Sequence, residues 1–237
     1  MGREVSGKDE YMPTLYEQLL QDVRFQEGMK VCMNCGTCTA ICPAAEFYDY
    51  DPRKVLDLVQ RKKEAELEAL LKSDVIWFCG ECMSCLTRCP RNNGPGLVIM
   101  ALRTLSQQTG LFVHSQKGRQ QILLKRGIGE NILRYGYCVY GPTMMPEAHP
   151  EAGPIWEWEH AHLPEVFDRL HGNLDKRGPG ALRKIPDEDL AELKSIFDVT
   201  GTSELFENIE HYSAEKAREM GVDMEEYIQE VEESMQL

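Results

Sequence analysis

The chain has 237 residues, 42% of them hydrophobic and 27% charged, with a net charge of −13. That supplies enough apolar material for one domain with extensions or for two small ones, and no apolar run approaches the roughly 18 residues needed to span a bilayer. No basic stripe is present, which excludes a nucleic-acid partner; residues 181–237 carry −11 of the −13, and the rest of the chain is nearly balanced.

Residues 1–30 open as a polar arm, after which Tyr16, Leu19, Leu20, Val23 and Phe25 give a short helix-like apolar pattern. Residues 31–125 form the centre of the chain. There Asp51 is a good N-cap and Pro52 suits the first helical position, where its missing N–H costs nothing. Val55, Leu56, Leu58 and Val59, then Leu67, Leu70 and Leu71, predict two helical pieces broken near the charged stretch at 61–66. Ser73 and Asp74 are placed to cap a short helix carrying Val75, Ile76, Trp77 and Phe78 into Cys79. A turn at 92–96 leads to an amphipathic helix over 97–108 that ends at Gly110, a C-cap signal. A further helix is expected over 115–125.

From about residue 126 the texture changes. Residues 126–180 are rich in Gly, Pro and aromatics and read as an irregular, extended arm suited either to contact with another protein of a complex or to packing back on the chain itself. Residues 181–237 read as an acidic helical extension. Its last helix starts at a capping box formed by Asp223 and Glu226. Met224, Tyr227, Ile228, Val231 and Met235 then fall on one face, which is expected to bury itself on another subunit. The fold class is therefore mainly α.

Chemistry is concentrated in a cysteine run that occurs twice: Cys32-x2-Cys35-x2-Cys38-x3-Cys42-Pro43 and Cys79-x2-Cys82-x2-Cys85-x3-Cys89-Pro90. Both match the bacterial-type iron–sulfur run. Three thiolates two residues apart wrap one face of a small iron–sulfur cube, with intervening backbone N–H groups pointing at its sulfides. In two-cluster ferredoxins the fourth cysteine serves the other cluster. Cys32, Cys35, Cys38 and Cys89 are thus expected around one 4Fe–4S cluster, and Cys79, Cys82, Cys85 and Cys42 around the second. Zinc is the alternative, since C-x2-C pairs also make tetrahedral sites. Zinc sites, however, draw on separated pairs, whereas triplets with a Cys-Pro trailer exceed what one ion needs. Disulfides are not expected, because the chain shows no cleavable apolar leader and is too long for a stapled scaffold; eight thiols then point to the reducing cytoplasm.

Other residues carry less. Cys138 reads as a small buried hydrophobe. His149, His160 and His162 show no ligand pattern, and Arg88 and Arg91, which bracket Cys89, are either solvated or a positive influence on a cluster. Trp77 and Phe78 beside Cys79 exclude water or simply fill the core. No phosphate cradle, dinucleotide fingerprint or nucleophile elbow is present, so the chain by itself is expected to be non-catalytic.

The two runs, joined by Asp51-Pro52-Arg53-Lys54-Val55 and flanked by Ile76-Trp77-Phe78-Cys79 and Arg88-Cys89-Pro90-Arg91, resemble the C-type iron–sulfur subunit of heterodisulfide reductase over residues 15–125. The resemblance implies an α-helical ferredoxin domain with two 4Fe–4S clusters and transfers the eight ligand roles residue by residue. It also implies electron relay between a flavin-containing A-type protein and a cysteine-rich, catalytic B-type protein of the same complex. The extension at 126–237 is similar to that of bacterial sulfur-oxidising relatives, which implies a lipoate-binding carrier in the same pathway. Alternatives are the methanogen-type enzyme, a succinate dehydrogenase-like or glycolate oxidase-like subunit, or a zinc-stabilised interaction module.

Overall fold

A computed structural model describes residues 12–235, and the polar opening at 1–11 lies outside the described residues. Every regular element among the described residues is helical. The chain divides into two compact units, one running through Arg119 and the other starting at Gln120.

The first unit begins with two short helices, α1 (Leu15–Leu19) and α2 (Val23–Gly28), capped by Thr14 and Asp22. The first cysteine run follows, with Cys38 on the short turn α3 (Thr37–Ala40), and the short turn α4 (Ala44–Phe47) comes just after it. Between the runs stand α5 (Pro52–Gln60) and α6 (Glu64–Leu71), with Asp51 as the N-cap and Pro52 in the first turn of α5. The break between them falls at Lys62, whose φ of 56° no helix continues. Ser73 caps a single 3₁₀ turn, Asp74–Trp77, that delivers Cys79. The second run is followed by α7 (Pro95–Gln108), the longest helix of this unit, which ends at Gly110 with a φ of +74°.

Helix α7 is the axle of the unit. Val98, Ile99, Ala101, Leu102 and Leu105 are buried at helical spacing. Around them pack Leu19, Phe25, Leu56, Val59, Leu67, Leu71 and Ile76 from the surrounding elements. Helix α2 can lie this close to α7 only because Gly28 has no side chain. A Cβ there would stand 2.9 Å from both the Gly94 carbonyl oxygen and Leu97 Cβ, and the Gly28 carbonyl accepts the Gly94 N–H at 2.8 Å. The apolar pattern at the start of the chain is only partly buried: Leu19 and Phe25 face the core, while Leu20 and Val23 are exposed. After α7 comes α8 (Gln116–Arg119), shorter than the helix expected over 115–125, because the helical path is interrupted at Gln120.

The second unit starts with α9 (Gln121–Leu124), which widens into a π-turn at Lys125–Gly129 and continues as α10 (Glu130–Tyr135). Irregular chain covers 136–155, where it includes 3₁₀ turns, and 170–186, with α11 (Trp156–Ala161) and α12 (Leu163–Arg169) between them. These helices have only six and seven residues, too few to print a period on the sequence. The aromatic segment packs within its own unit. Tyr140 is buried, stacks on Tyr135 and donates to Asp175, and the Tyr137 hydroxyl donates to the Arg183 carbonyl.

The acidic end forms α13 (Asp187–Val199), α14 (Thr202–Met220) and α15 (Met224–Glu233), the last opening with the Asp223–Glu226 capping box. The stripe of α15 does not wait for another subunit. Tyr227 and Val231 are fully buried within this unit, against α9 and α14, and only Met235 at its end is exposed. The reason is local: the Gly221 turn folds α15 back along α14. Cys138 also departs from expectation, being exposed because it lies in irregular chain. No described helix is long and apolar enough to cross a membrane.

The π-turn is pinned by charge. Arg126 and Lys125 both reach Glu210 on α14, at 2.8 and 2.9 Å. The Arg126 hydrogen bond outweighs partial burial and, with Lys125, holds the Glu210 carboxyl down at about 2. A depressed carboxylate contributes stability that is complete above its unfolded value of about 4.3 and is lost as pH falls toward about 2. The site is more than half solvated, so the contribution is on the order of 1 kcal/mol.

Two expectations follow from this packing. Leu102→Ala should cost about 2–5 kcal/mol in urea unfolding, against little change for the exposed Leu20→Ala. Glu210→Gln should speed hydrogen exchange in peptides from 202–220 at about pH 6, and the difference from wild type, corrected for intrinsic rates, should shrink between about pH 4.5 and 2.

Candidate metal centres

Each cysteine run is built as a concave strip of backbone N–H groups. In the first, Asn34 and Gly36 take positive φ values of 60° and 78°; in the second, Glu81 and Met83 take 53° and 57°. Alternation of right- and left-handed residues turns successive N–H groups to one side, forming an anion-binding nest. The same bond appears in both: Asn34 N–H donates to Cys32 Sγ and Glu81 N–H to Cys79 Sγ, each at 3.4 Å. Glycine meets this demand freely only at Gly36. Asn34, Glu81 and Met83 hold it at the cost of strain, as residues at functional sites do.

The eight sulfurs fall into two groups. Cys32, Cys35, Cys38 and Cys89 line one hollow of about 330 Å³, with Arg53, Leu56, Arg91, Asn93 and Pro95 completing its wall. Cys42, Cys79, Cys82 and Cys85 line a second of about 380 Å³, with Tyr50, Pro52, Gly96 and Ile99. Each hollow thus takes three cysteines from one run and the last cysteine of the other. The first turns of α5 and α7 stand between them: Pro52 faces one hollow and Arg53 the other, Gly96 one and Pro95 the other. These turns present the positive ends of two helix dipoles to groups that are anionic when ligating. The Gly96 N–H lies beside Cys85 and favours its thiolate.

Exposure and charge repeat the internal symmetry. The middle cysteines, Cys35 and Cys82, are exposed, and the hydroxyls of Thr37 and Ser84 beside them favour their thiolates, lowering both below the usual thiol range. Burial pushes Cys38, Cys79 and Cys85 up. Among the described residues no three His, Cys, Asp or Glu side chains converge tightly enough for a single metal ion. Four thiols spread around a hollow suit a multi-iron cube instead, and the nest N–H groups supply donors for its sulfides.

Three residues outside the runs complete the sites. Arg103 on α7 donates to the Ile76 and Cys79 carbonyls at 2.7 and 2.5 Å and to Glu81 at 2.5 Å, and it lies 5.5 Å over the Trp77 ring. It clamps the strained 79–81 backbone and sets a positive charge beside Cys79, favouring the thiolate. Asn93 is buried; its Oδ1 accepts the Lys30 N–H at 2.7 Å and its Nδ2 lies 3.7 Å from Cys89 Sγ. Tyr50 is buried and lines the second hollow with its hydroxyl near Cys79, and that hydroxyl makes no formed hydrogen bond among the described residues. Burial, then the neighbouring Cys79, push that hydroxyl well above the usual phenol range, so it remains a donor. A buried hydroxyl left unpaired costs on the order of 1–3 kcal/mol, and a bound cluster offers the acceptor it lacks. The donor set therefore fits two iron–sulfur cubes.

Not every candidate joins the sites. Cys138, His149, His160 and His162 all lie in the second unit and line neither hollow. His149 pairs with Glu151, and His162 bonds the Trp158 carbonyl. Arg91 lines the first hollow, whereas Arg88 turns back to the Ser84 carbonyl. Trp77 and Phe78 serve the core, Phe78 stacking on Tyr48 with centroids 4.5 Å apart. The hydroxyl two residues after each middle cysteine was visible as a repeat in the sequence. The roles of Tyr50, Asn93 and Arg103 were not, since each is separated in sequence from the sulfur it serves or is an ordinary residue for its element.

Asp51 links these parts. It caps α5 through the Arg53 and Lys54 N–H groups and accepts the Thr39 hydroxyl at 2.5 Å, tying the helix to the Cys38–Cys42 turn. Although burial opposes ionisation, the bonds from Arg53 and Thr39 hold its carboxyl at about 2. Asp51→Ala should cost about 0.5–2 kcal/mol in stability, the usual range for a lost cap. It should also hasten loss of iron from the reconstituted protein under EDTA, followed at visible wavelengths.

Comparison with known proteins agrees with this chemistry. Residues 27–93, which include all eight run cysteines, match a family model described as a 4Fe-4S dicluster domain. The C-type subunit of a ferredoxin:CoB-CoM heterodisulfide reductase from Methanosarcina acetivorans is 38% identical over 120 residues, covering 50% of this chain and 46% of that protein. A C-type iron-sulfur subunit of the CoB–CoM heterodisulfide reductase from Methanocaldococcus jannaschii is 32% identical over 157 residues, covering 61% and 77%. The corresponding iron-sulfur subunit from Methanopyrus kandleri is 29% identical over 179 residues, covering 71% and 91%. The first of these matches thus spans about half of the relative's length.

Proposed function

Since the chain belongs to the family of C-type iron–sulfur subunits of heterodisulfide reductase and carries two 4Fe–4S clusters, we propose that it is an electron relay with crossed ligation. In this reading Cys32, Cys35, Cys38 and Cys89 hold centre I, and Cys79, Cys82, Cys85 and Cys42 hold centre II. The observation that carries it is the pair of four-sulfur hollows, each completed by a cysteine from the opposite run. The clusters supply one-electron exchange. The protein's own residues hold the cubes side by side, stabilise the thiolates with backbone N–H groups and helix dipoles, and exclude water with the α7 core. Among the described residues neither hollow is lined by a His, Asp or Glu that could serve as a general base beside its cysteines, which supports a relay whose substrate turnover belongs to a partner.

The proposed partners are a flavin-containing A-type protein on one side and a cysteine-rich, B-type catalytic protein on the other. The exposed edges at Cys35 and Cys82 are the points of closest approach for an outside donor or acceptor. The reaction we favour is oxidation of sulfur compounds in the cytoplasm, fed by a lipoate-binding carrier. That branch rests on the second unit, which lies wholly beyond the matched dicluster domain, although methanogen relatives align over as much as 71% of this chain and so reach part of it. Reduction of a CoB–CoM-type disulfide is the second reading, favoured by the names of the curated relatives.

The ligation pattern is open to a decisive test. Anaerobically reconstituted chain should hold about eight iron atoms and show no turnover with disulfides. Cys35→Ala/Cys89→Ala should retain one intact 4Fe–4S centre, because both losses fall on centre I. Cys82→Ala/Cys89→Ala should retain none, because each centre loses a ligand. The reverse outcome, counted by Mössbauer and EPR spectroscopy, would mean that each run binds its own cluster.

A further inference from the structure

Resting on that crossed ligation, we infer that the Tyr50 hydroxyl is a redox-tuning hydrogen-bond donor to centre II, acting on the Cys79 sulfur. Tyr50 is 3% exposed, and its buried hydroxyl has no formed hydrogen bond among the described residues. It lines the hollow formed by Cys42, Cys79, Cys82 and Cys85. The ring has little freedom to leave. It packs edge-on against Phe78 with centroids 6.3 Å apart, and its backbone N–H bonds the Tyr48 carbonyl at 2.7 Å. Its chain neighbour Asp51 is tied to both α5 and Thr39. A phenol serving only to fill space would be better replaced by phenylalanine, which carries no polar group to bury. The hydroxyl is explained by an acceptor, and the hollow is where one sits.

Among the described residues no tyrosine lines the hollow of centre I. Its buried side-chain donor is the amide of Asn93, 3.7 Å from Cys89 Sγ, and the other end of that amide is committed to Lys30. The two centres therefore differ although the runs that hold them repeat. The consequence for electron transfer is directional. When centre II accepts one electron, the charge on its sulfurs rises and a hydrogen bond to them strengthens, the more so in a buried, low-dielectric site. The hydroxyl proton stays on its oxygen, and no covalent bond forms or breaks. Tyr50 thus stabilises the reduced form over the oxidised one and raises the potential of centre II.

The test is a mediated redox titration of the full chain by EPR, with dithionite as the electron donor, for wild type and Tyr50→Phe. Both should load about eight iron atoms. One of the two midpoints should fall in Tyr50→Phe by about tenfold in the reduction equilibrium, or about 59 mV for a one-electron couple, while the other stays in place. Replacement of Tyr50 by 3-fluorotyrosine, a stronger donor of the same shape, should shift that midpoint the opposite way, and it decides the matter if Tyr50→Phe fails to load. Unchanged midpoints, or equal shifts in both, in fully loaded protein overturn the role of Tyr50 and leave the relay reading intact. Wild-type chain that cannot hold two clusters overturns both.

Discussion

Everything in the first unit depends on one arrangement: the opening turns of two helices wedged between two sets of sulfurs. Helix α5 places Pro52 and Arg53 on either side, and α7 does the same with Gly96 and Pro95. In the proposed ligation, four thiolates with an iron–sulfur core leave each site negatively charged. Partial positive charge from unsatisfied N–H groups is the cheapest local compensation, since it needs no titratable side chain and no counter-ion. Because the same turns serve both hollows, neither site can form without the helices that also form the other. That coupling makes this unit a single body and not two binding loops.

The packing behind those turns follows from the same geometry. Helix α7 is apolar on most of its circumference because α1, α2, α5 and α6 surround it. Gly28 lets α2 come close enough to bond the Gly94 N–H just before α7 begins. The sites are thus braced from behind by a rigid core and in front by strained nests, with Arg103 clamping the one whose two left-handed positions both lack a glycine. Rigidity of this kind suits a relay, since a fixed surrounding lowers the reorganisation that accompanies each change of charge. The second unit is a helical body with its own core around Ile209, Ala217, Tyr227 and Val231, and its acidity stays on solvated faces apart from the Glu210 cluster.

Much of this was legible from residue order. Spacing alone named the eight sulfurs, the proline turns and the type of cofactor, because a small cube constrains the chain that wraps it to a few residues. Asp51-Pro52 and Asp223-x2-Glu226 announced helix starts, since capping is a contact between neighbours in sequence. The irregular stretch at 126–180 was recognisable by composition, but its three short helices, α10, α11 and α12, were not. The terminal stripe on α15 was read correctly as apolar and assigned to the wrong partner. Periodicity says that a face must be buried, and it is silent on which surface covers it.

By itself, then, the order of residues determined what is local: which cysteines are grouped, where helices begin, which faces are apolar, and that the chain is helical. Only the tertiary structure decided what stands beside each sulfur. Tyr50 beside Cys79, Asn93 beside Lys30, and the positive end of α7 between the hollows are consequences of how helices cross. Such contacts join positions with no fixed offset along the chain, so no spacing rule contains them; they exist only after the core has packed.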